Sequence, residues 1–342
     1  MDSDHPFVVP ECTDTRPVRS TTSKNMTDGS FSPLVTVNLA VLIPCYNEES
    51  TIAEVVQGFT AALPGAVCYV YDNNSGDRTV ERARAAGAIV RRETSQGKGN
   101  VVRRMFADIS ADVYVLVDGD ATYDSEAAGR AVAVLLEGPY DMVNVSRVTA
   151  VESAYRPGHA FGNRMLTGIV SLLFGRQVTD MLSGYRVLSR RFVKSFPALS
   201  QGFEIETELT VHALELRMPV SEIPAPYYAR PEGSMSKLST YGDGFRILIT
   251  IIKLFKEERP LTFFGMLSGL FALVGLGLFG PLLADYLATG LVPRLPTAVL
   301  SASLMILAAL SLTCGLILDT VTRGRKEAKR MRYLSYAPPS RE

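Results

Sequence analysis

Neither sign of charge is in excess: Lys and Arg together number 35, and Asp and Glu also 35. A chain without net charge offers no global field for nucleic acid or another polyanion to follow. Cysteine is scarce, with only Cys12, Cys45, Cys68 and Cys314. No two of them stand at a CxxC spacing, which argues against a zinc site, and thiols scattered in this way suit a reducing compartment. No apolar run follows Met1, so a secretory leader is not expected. Without a leader the domain that follows is expected in the cytosol, and residues 1–35, rich in Ser, Thr, Asp and Pro, have a composition that predicts a disordered tail. Tryptophan is missing altogether, which removes every motif that requires one.

What is present is apolar for a soluble chain, with 47% hydrophobic residues, 20% charged residues and a mean hydropathy of +0.14. From Val35 to about Ser146 short apolar runs alternate with helical patterns. Strands are expected at Val37–Ile43, Ala66–Tyr71, Ala88–Arg91, Val113–Val117 and Asp141–Val145. Helices are expected at Ala53–Leu63, Arg78–Ala86, Asn100–Ile109 and Ser125–Leu136. Strand–helix units of this length predict an α/β domain, a mostly parallel sheet with helices on both faces. Three polar clusters each follow the last apolar residue of a strand: Tyr46–Asn47–Glu48, Asp72–Asn73–Asn74 and Asp118–Gly119–Asp120. Asn, Asp and Gly also make ordinary turns. In an open parallel sheet, however, the ligand crevice lies outside the carboxyl ends of the strands, so three such clusters converge on one edge.

The C-terminal part differs in kind. Leu261–Ala284 and Leu295–Leu318 are each 24 residues without a charge, and a bilayer span needs roughly 20 apolar residues. Lys253, Lys256 and Arg259 precede them, and Arg323, Arg325, Lys326, Lys329, Arg330 and Arg332 follow. The positive-inside rule places both flanks in the cytosol, with the short loop Asp285–Arg294 outside. Before the first span, Phe245, Leu248, Ile249, Ile252 and Phe255 recur at helical spacing among Arg246, Lys253 and Lys256. That pattern predicts a helix over Gly242–Glu258 lying in the membrane interface. The expected organisation is a disordered tail (1–35), an α/β domain (36–240), an interfacial amphipathic helix (241–260), a two-helix transmembrane hairpin (261–319) and a basic cytosolic tail (320–342). So thin an anchor is compatible with a homo-oligomer associated through the spans.

Asp118 and Asp120, two residues apart on a turn after a buried strand, suit a hard divalent cation, Mg²⁺ or Mn²⁺, that shares oxygen ligands with water and substrate phosphate. A helix-capping turn accounts for the pair equally well when it is taken alone. Asp72–Thr79 carries part of a calcium-loop pattern and fails it, since Gly76 sits one place early and no Glu closes the loop.

Taken in order, Ile43-Pro-Cys-Tyr-Asn-Glu-Glu49, Asp72-Asn-Asn-Ser-Gly-Asp-Arg-Thr79, Gly97-Lys-Gly99 and Asp118-Gly-Asp120 resemble the family 2 inverting glycosyltransferases with the GT-A fold. Asp180-Met-Leu-Ser-Gly-Tyr-Arg-Val-Leu-Ser-Arg-Arg191 and Arg230-Pro-Glu-Gly-Ser-Met-Ser-Lys237 narrow the likeness. They resemble polyprenyl-phosphate glycosyltransferases, such as dolichyl-phosphate mannose synthases and bacterial undecaprenyl-phosphate glucosyltransferases with two C-terminal spans. The resemblance covers about residues 38–335. It implies that Pro44, Tyr46, Glu48, Asp72 and Lys98 hold the nucleotide-sugar, with Asp118 and Asp120 on the metal and diphosphate. It further implies that Arg147, Arg164, Arg230, Ser236 and Lys237 surround the acceptor phosphate. Asp118, Asp120, Arg147, Arg230 and Lys237 then form the catalytic set. Thr122 stands where the mannose synthases carry a metal-assisting Gln. Arg186 is a weaker candidate for the basic group.

Physically, a lipid phosphate and a diphosphate must meet despite like charge, and Arg and Lys supply the counter-charge. Glu204, Glu206 and Glu208 alternate near this motif, and helical spacing would put Glu204 and Glu208 on one face. No general base is assigned, because a phosphate monoester with a second pKa of ~6 needs little deprotonation. His159 and His212 are read as structural. The expected reaction is inverting transfer from a nucleotide-sugar, UDP-glucose first and GDP-mannose as the alternative, to polyprenyl phosphate at the cytosolic face of the inner membrane. A processive polysaccharide synthase would carry Gln-x-x-Arg-Trp, which a chain without tryptophan cannot. A transporter would need ionisable residues inside the spans. A nucleotide-binding scaffold without activity would not need both Asp118 and Asp120.

Overall fold

The computed structural model describes residues 37–148, 168, 179–230 and 240–338. The expected tail 1–35 and the candidate residues Arg164, Ser236 and Lys237 lie outside the described residues, as does His159. Five strands and four helices alternate in the expected order: β1 (Leu39–Cys45), α1 (Ile52–Ala62), β2 (Val67–Asp72), α2 (Thr79–Ala85), β3 (Ile89–Arg92), α3 (Lys98–Asp108), β4 (Val113–Leu116), α4 (Ala127–Glu137) and β5 (Met142–Val148). Then come β6 (Arg186–Ser189), α5 (Arg190–Ser195), α6 (Ile205–Leu216) and β7 (Val220–Pro226).

The seven strands form one sheet in the order β3-β2-β1-β4-β6-β5-β7. Strands β1 to β4 pair in parallel, β6 runs antiparallel to both β4 and β5, and β5 and β7 are parallel. Because β6 reverses twice, β5 and β7 point the same way as β1, β2 and β4. The carboxyl ends of those five strands, and the amino end of β6, therefore share one edge. The strand order turns back between β1 and β4, the switch point at which open α/β sheets bind ligands.

Side-chain alternation explains why the sheet is covered on both faces. Val41 and Ile43 of β1 and Val113 and Val115 of β4 pack with Val56 and Phe59 of α1 and Ala131 and Leu135 of α4. The opposite residues, Leu42, Tyr114 and Leu116, pack with Val102 and Met105 of α3, Phe192 of α5 and Ile205 and Leu209 of α6. His212 is buried in this second layer, where Ser195 Oγ lies 3.2 Å from its Nε2. Burial, helped by the Lys329 charge, pushes its pKa down to about 3, so the ring is neutral.

Helix α7 (Thr240–Glu258) leads into α8 (Pro260–Thr289) and α9 (Leu295–Leu334). Both α8 and α9 are long and apolar enough to cross a membrane, and little of either is buried within the protein. They pack on each other through small residues: Ser301 Oγ donates to Gly275 O at 2.8 Å, and Ser268 Oγ to Ala308 O at 2.8 Å. The apolar stripe expected on α7 is divided between two faces. Ile247, Ile251 and Leu254 pack against Met181 and Val211. Phe245, Ile249 and Ile252 stay exposed, and Phe255 turns inward to meet Phe263.

Helix α9 does not end where its apolar run ends. It continues through the basic segment to Leu334 and docks on the α/β domain. Lys329 Nζ lies 2.7 Å from Glu215 and 3.3 Å from Glu258. Burial and the neighbouring Glu258 push the Glu215 carboxyl up to about 7, against the pull of Lys329. Tyr333 donates its hydroxyl to the fully buried Asp141 at 2.7 Å, beneath the Arg191 guanidinium at 4.7 Å from the ring centroid. Asp141 also accepts from Arg191 and from Ser189 Oγ. Tyr333→Phe keeps the ring under Arg191 and deletes only the hydroxyl. The expected cost is about 1.5–3 kcal/mol, that of a hydrogen bond to a charged group, measured as a lowered melting temperature of the detergent-solubilised chain. An unchanged midpoint would mean that the tail helix is not held at Asp141.

Candidate active site

The crevice is built where β1, β2, β4 and β5 end. On one side two loops are stitched together. The Asn47 N–H donates to Ser75 Oγ at 2.9 Å, the Gly76 N–H to Asn47 Oδ1 at 2.8 Å, and the Glu48 N–H to Thr79 Oγ1 at 2.8 Å. Asp77 accepts from the Thr79 N–H at the start of α2 and from the Glu49 N–H. Burial raises its pKa, but the hydrogen bonds from Thr79 and Glu49 outweigh it, and the carboxyl sits below its ordinary range. Asp72 is buried at the end of β2 and accepts from the Ser75 N–H at 3.1 Å. Glu48 is also buried, whereas Tyr46 stands 37% exposed at the mouth. Pro44 lies within β1 itself, paired with Tyr71. These residues make a pre-shaped wall in which a backbone donor orients Asp72 and burial beside Thr51 holds Glu48.

The opposite side carries the charge. Asp118 and Asp120 leave the end of β4 on a tight turn, with Ala121 at φ 56°. Thr51 Oγ1 donates to Gly119 O at 2.7 Å, tying this turn to the start of α1. Asp120 Oδ1 accepts from Thr122 Oγ1 at 2.6 Å and from the Thr122 N–H at 3.2 Å, while Oδ2 pairs with Arg230 at 2.5 Å. Arg230 reaches it because the segment after β7 is pinned to this turn: the Tyr228 N–H donates to Thr122 O at 2.9 Å. Asp118 is ion-paired with Lys98, which is also ion-paired with Glu206. The Lys98 side chain is only 9% exposed. Burial opposes its charge, but Asp118 and Glu206 outweigh that and hold its pKa above the ordinary value. Burial also raises the Glu206 carboxyl, Lys98 pulling the other way.

Arg147, at the end of β5, grips Asp180 with two bonds of 2.7 Å and stacks over Tyr227 at 5.5 Å. Asp180, Asn144 and Thr179 are gathered by Glu222. Gly184 lies directly against Asp118: a Cβ there would sit 2.4 Å from Asp118 Oδ2.

Of the candidate residues within the described region, the fold brings Pro44, Tyr46, Glu48, Asp72, Lys98, Asp118, Asp120, Arg147 and Arg230 to one edge of the sheet. Arg186 is not part of the crevice. It is fully buried and donates to Met181 O at 2.6 Å and Ser183 O at 3.1 Å, bracing the loop before β6. Burial brings its pKa down to about 10, against the pull of Glu206 and Asp180. The expectation that helical spacing puts Glu204 and Glu208 on one face also changes. Helix α6 begins at Ile205, leaving Glu204 as the residue before it. Glu208 accepts from the Leu199 and Ser200 N–H groups, each at 2.8 Å. Glu206 is the one that reaches the charged cluster. Asp180 and Gly184 were within the Asp180–Arg191 motif without an assigned part, and their spacing was the signal for both.

The donor set suits a hard divalent cation. Two carboxylates stand on one turn, and Lys98 and Arg230 mark where positive charge is held against them. No cluster of three His, Cys, Asp or Glu able to hold a metal occurs among the described residues. The remaining ligands would then be water and phosphate oxygens, as Mg²⁺ and Mn²⁺ accept.

Comparison with known proteins gives the family of this arrangement. Residues 40–196 match the model of glycosyl transferase family 2. The chain is 34% identical over 251 residues to the glycosyltransferase AglJ of Haloferax volcanii, covering 70% of this chain and 79% of that one. It is 30% identical over 223 residues to the dolichyl-phosphate hexose transferase of the same organism, covering 65% of this chain and 96% of that one. Among solved structures, glucosyl-3-phosphoglycerate synthase from Mycobacterium tuberculosis with Mn²⁺, UDP-glucose and phosphoglyceric acid is similar in fold. Its TM-score is 0.54 at 22% identity, over 64% of this chain and 80% of that one.

Proposed function

The chain belongs to glycosyl transferase family 2, and on that premise we propose that it transfers a hexose from a nucleotide-sugar to polyprenyl phosphate at the cytosolic face of the membrane. The observation that carries the reading is the convergence of Asp118 and Asp120, each paired with a cation, beside Arg147 in a crevice whose chain continues directly into two membrane-length helices. Relatives named for dolichyl-phosphate hexose transfer and dolichol-phosphate mannosyl transfer support the acceptor class. UDP-glucose is the first donor to test and GDP-mannose the second.

In this mechanism the wall from Pro44 to Glu48 and Asp72 seats the base and ribose, and Lys98 meets the diphosphate. Asp118 and Asp120 would hold Mg²⁺ or Mn²⁺, which supplies charge stabilisation to the departing nucleoside diphosphate. Arg147 and Arg230, with Arg164, Ser236 and Lys237 proposed beside them, receive the acceptor phosphate. Its oxygen attacks the anomeric carbon from the side opposite the leaving diphosphate, forming the new glycosidic bond with inversion. The exposed Phe245, Ile249 and Ile252 of α7 fit a helix seated in the interface, which would keep the crevice at headgroup level.

The test is transfer of labelled sugar to undecaprenyl phosphate by the purified chain, with UDP-glucose and GDP-mannose in parallel and with EDTA as the metal-free arm. Failure of every sugar nucleotide to label the lipid would refute the acceptor assignment. Orientation is checked separately. In a cysteine-free background, Thr289→Cys is expected to react with a membrane-impermeant reagent from outside, while Tyr336→Cys is protected. The reverse pattern would invert the topology.

A further inference from the structure

We propose that Glu206 is a positioning residue: it is the second berth that keeps the Lys98 ammonium paired inside the crevice when Asp118 turns from Lys98 to a divalent cation. The proposal rests on the reading of Asp118 as facing that cation. Lys98 is ion-paired with Asp118 Oδ1 and Glu206 Oε1 at once, and its side chain is only 9% exposed against 7% for Glu206. A buried ammonium that lost its sole carboxylate to a metal ion would be left unpaired beside a dication, an arrangement that strongly disfavours metal entry. With two carboxylates it can release one and keep the other.

The surroundings of Lys98 are built for this. The loop before helix α6 braces the Gly97–Lys98–Gly99 segment, and the first turn of α6 holds that loop in place. Glu208 takes the Leu199 and Ser200 N–H groups, and the carbonyls of Ser200 and Gln201 lie against the glycines. A Cβ on Gly99 would sit 2.2 Å from Ser200 O, and one on Gly97 would sit 2.3 Å from Gln201 O. Gly97 also has φ +128°, a conformation that side-chain-bearing residues rarely adopt. Glu206, two residues before Glu208 on the same helix, then meets the Lys98 side chain. Its Oε2 is buried without a hydrogen-bond partner, so a second acceptor oxygen stands ready for the ammonium as it leaves Asp118.

The experiment is Mn²⁺ titration by calorimetry on the detergent-solubilised full chain, with sugar transfer assayed on the same samples. Wild type is expected to bind Mn²⁺. Glu206→Gln removes the second berth and leaves Lys98 to compete for Asp118, so Mn²⁺ affinity should fall roughly 10- to 100-fold, the range for loss of an outer-shell partner. Glu206→Asp, which keeps the charge, should lie between the two and serves as the milder variant if the Gln form does not fold. The decisive arm is Lys98→Met/Glu206→Gln. With the competing ammonium gone, Mn²⁺ affinity should return to the wild-type level or better, although transfer stays lost because Lys98 is absent. A Glu206→Gln chain that binds Mn²⁺ like wild type overturns the proposal alone, and if it also loses transfer, the carboxylate belongs to the acceptor side. A double variant as weak as Glu206→Gln likewise overturns it. A wild-type chain that does not bind Mn²⁺ sinks the metal reading of Asp118 and this proposal together.

Discussion

Asp120→Ala is expected to reduce sugar transfer by roughly a thousandfold or more while the chain stays folded. A single preorganised group acting on developing charge already accounts for about 10²–10³ in rate, and Asp120 does two such jobs. One is its proposed share in holding the divalent cation. The other is its grip on Arg230 at 2.5 Å, which fixes a cation proposed to meet the acceptor phosphate. The substitution should not unfold the domain, because the turn keeps its other ties: Thr51 Oγ1 to Gly119 O and the Tyr228 N–H to Thr122 O. Removing Asp120 also relieves a buried carboxylate of its need for partners, and Arg230, 27% exposed, keeps contact with solvent. The measurement is the initial rate with saturating Mg²⁺ or Mn²⁺, alongside a melting curve. Transfer within a few-fold of wild type would remove Asp120 from the metal and diphosphate site. Asp120→Asn sharpens the outcome. It can still accept from Thr122, so a loss as deep as that of Ala isolates the charge as the property that matters.

The sequence displayed the half of the fold in which local pattern and long-range structure agree. β1, β2 and β4 are each a short apolar run followed by turn residues, and each helix between the strands has a buried face. A parallel array with its polar turns on one edge follows from that alone. The antiparallel return was hidden. Arg186–Ser189 has a charged residue at its start and only four residues in all, and it is a strand because Leu116, Val115 and Asn144 pair with it from distant parts of the chain.

The charged cluster was legible by type but not by pairing. Lys98 and Asp118 each stood in a recognisable motif, yet that Lys98 also meets Glu206 depends on where α6 begins, and a one-residue change of register would have put Ile205 or Thr207 in its place. The basic run after the second span had the composition of a solvated tail. It is instead a docked helix, since Lys329 finds Glu215 across 114 residues of sequence. No periodicity near Lys329 announces a partner that remote.

Gly184→Ala is expected to cost roughly 100-fold in transfer with little loss of stability, a larger effect than one methyl group ordinarily produces. The new Cβ would lie 2.4 Å from Asp118 Oδ2 and 2.9 Å from its Cγ, both well inside contact distance. The backbone of Gly184 is not in the left-handed region, which within the fold belongs to Gly65, Gly87, Gly97 and Gly290 among the described glycines. An alanine is thus tolerated by the main chain, and the Gly184 N–H can go on donating to Tyr123 Oη at 2.8 Å. What must give is the Asp118 side chain, and it cannot move without consequence, because Lys98 holds its other oxygen and Glu206 holds Lys98. A displacement of the carboxylate by about 1 Å is enough to lose on the order of 10² in rate when the group positions a reacting phosphate. The stability change should stay small, since the clash is with the end of a side chain rather than with packed backbone. Two readings on one sample decide the matter: melting temperature and transfer rate. A wild-type rate would mean that Asp118 tolerates displacement and that its placement against Gly184 is incidental. A collapse of the melting temperature would move the cause from the crevice to the packing of β6 against β4.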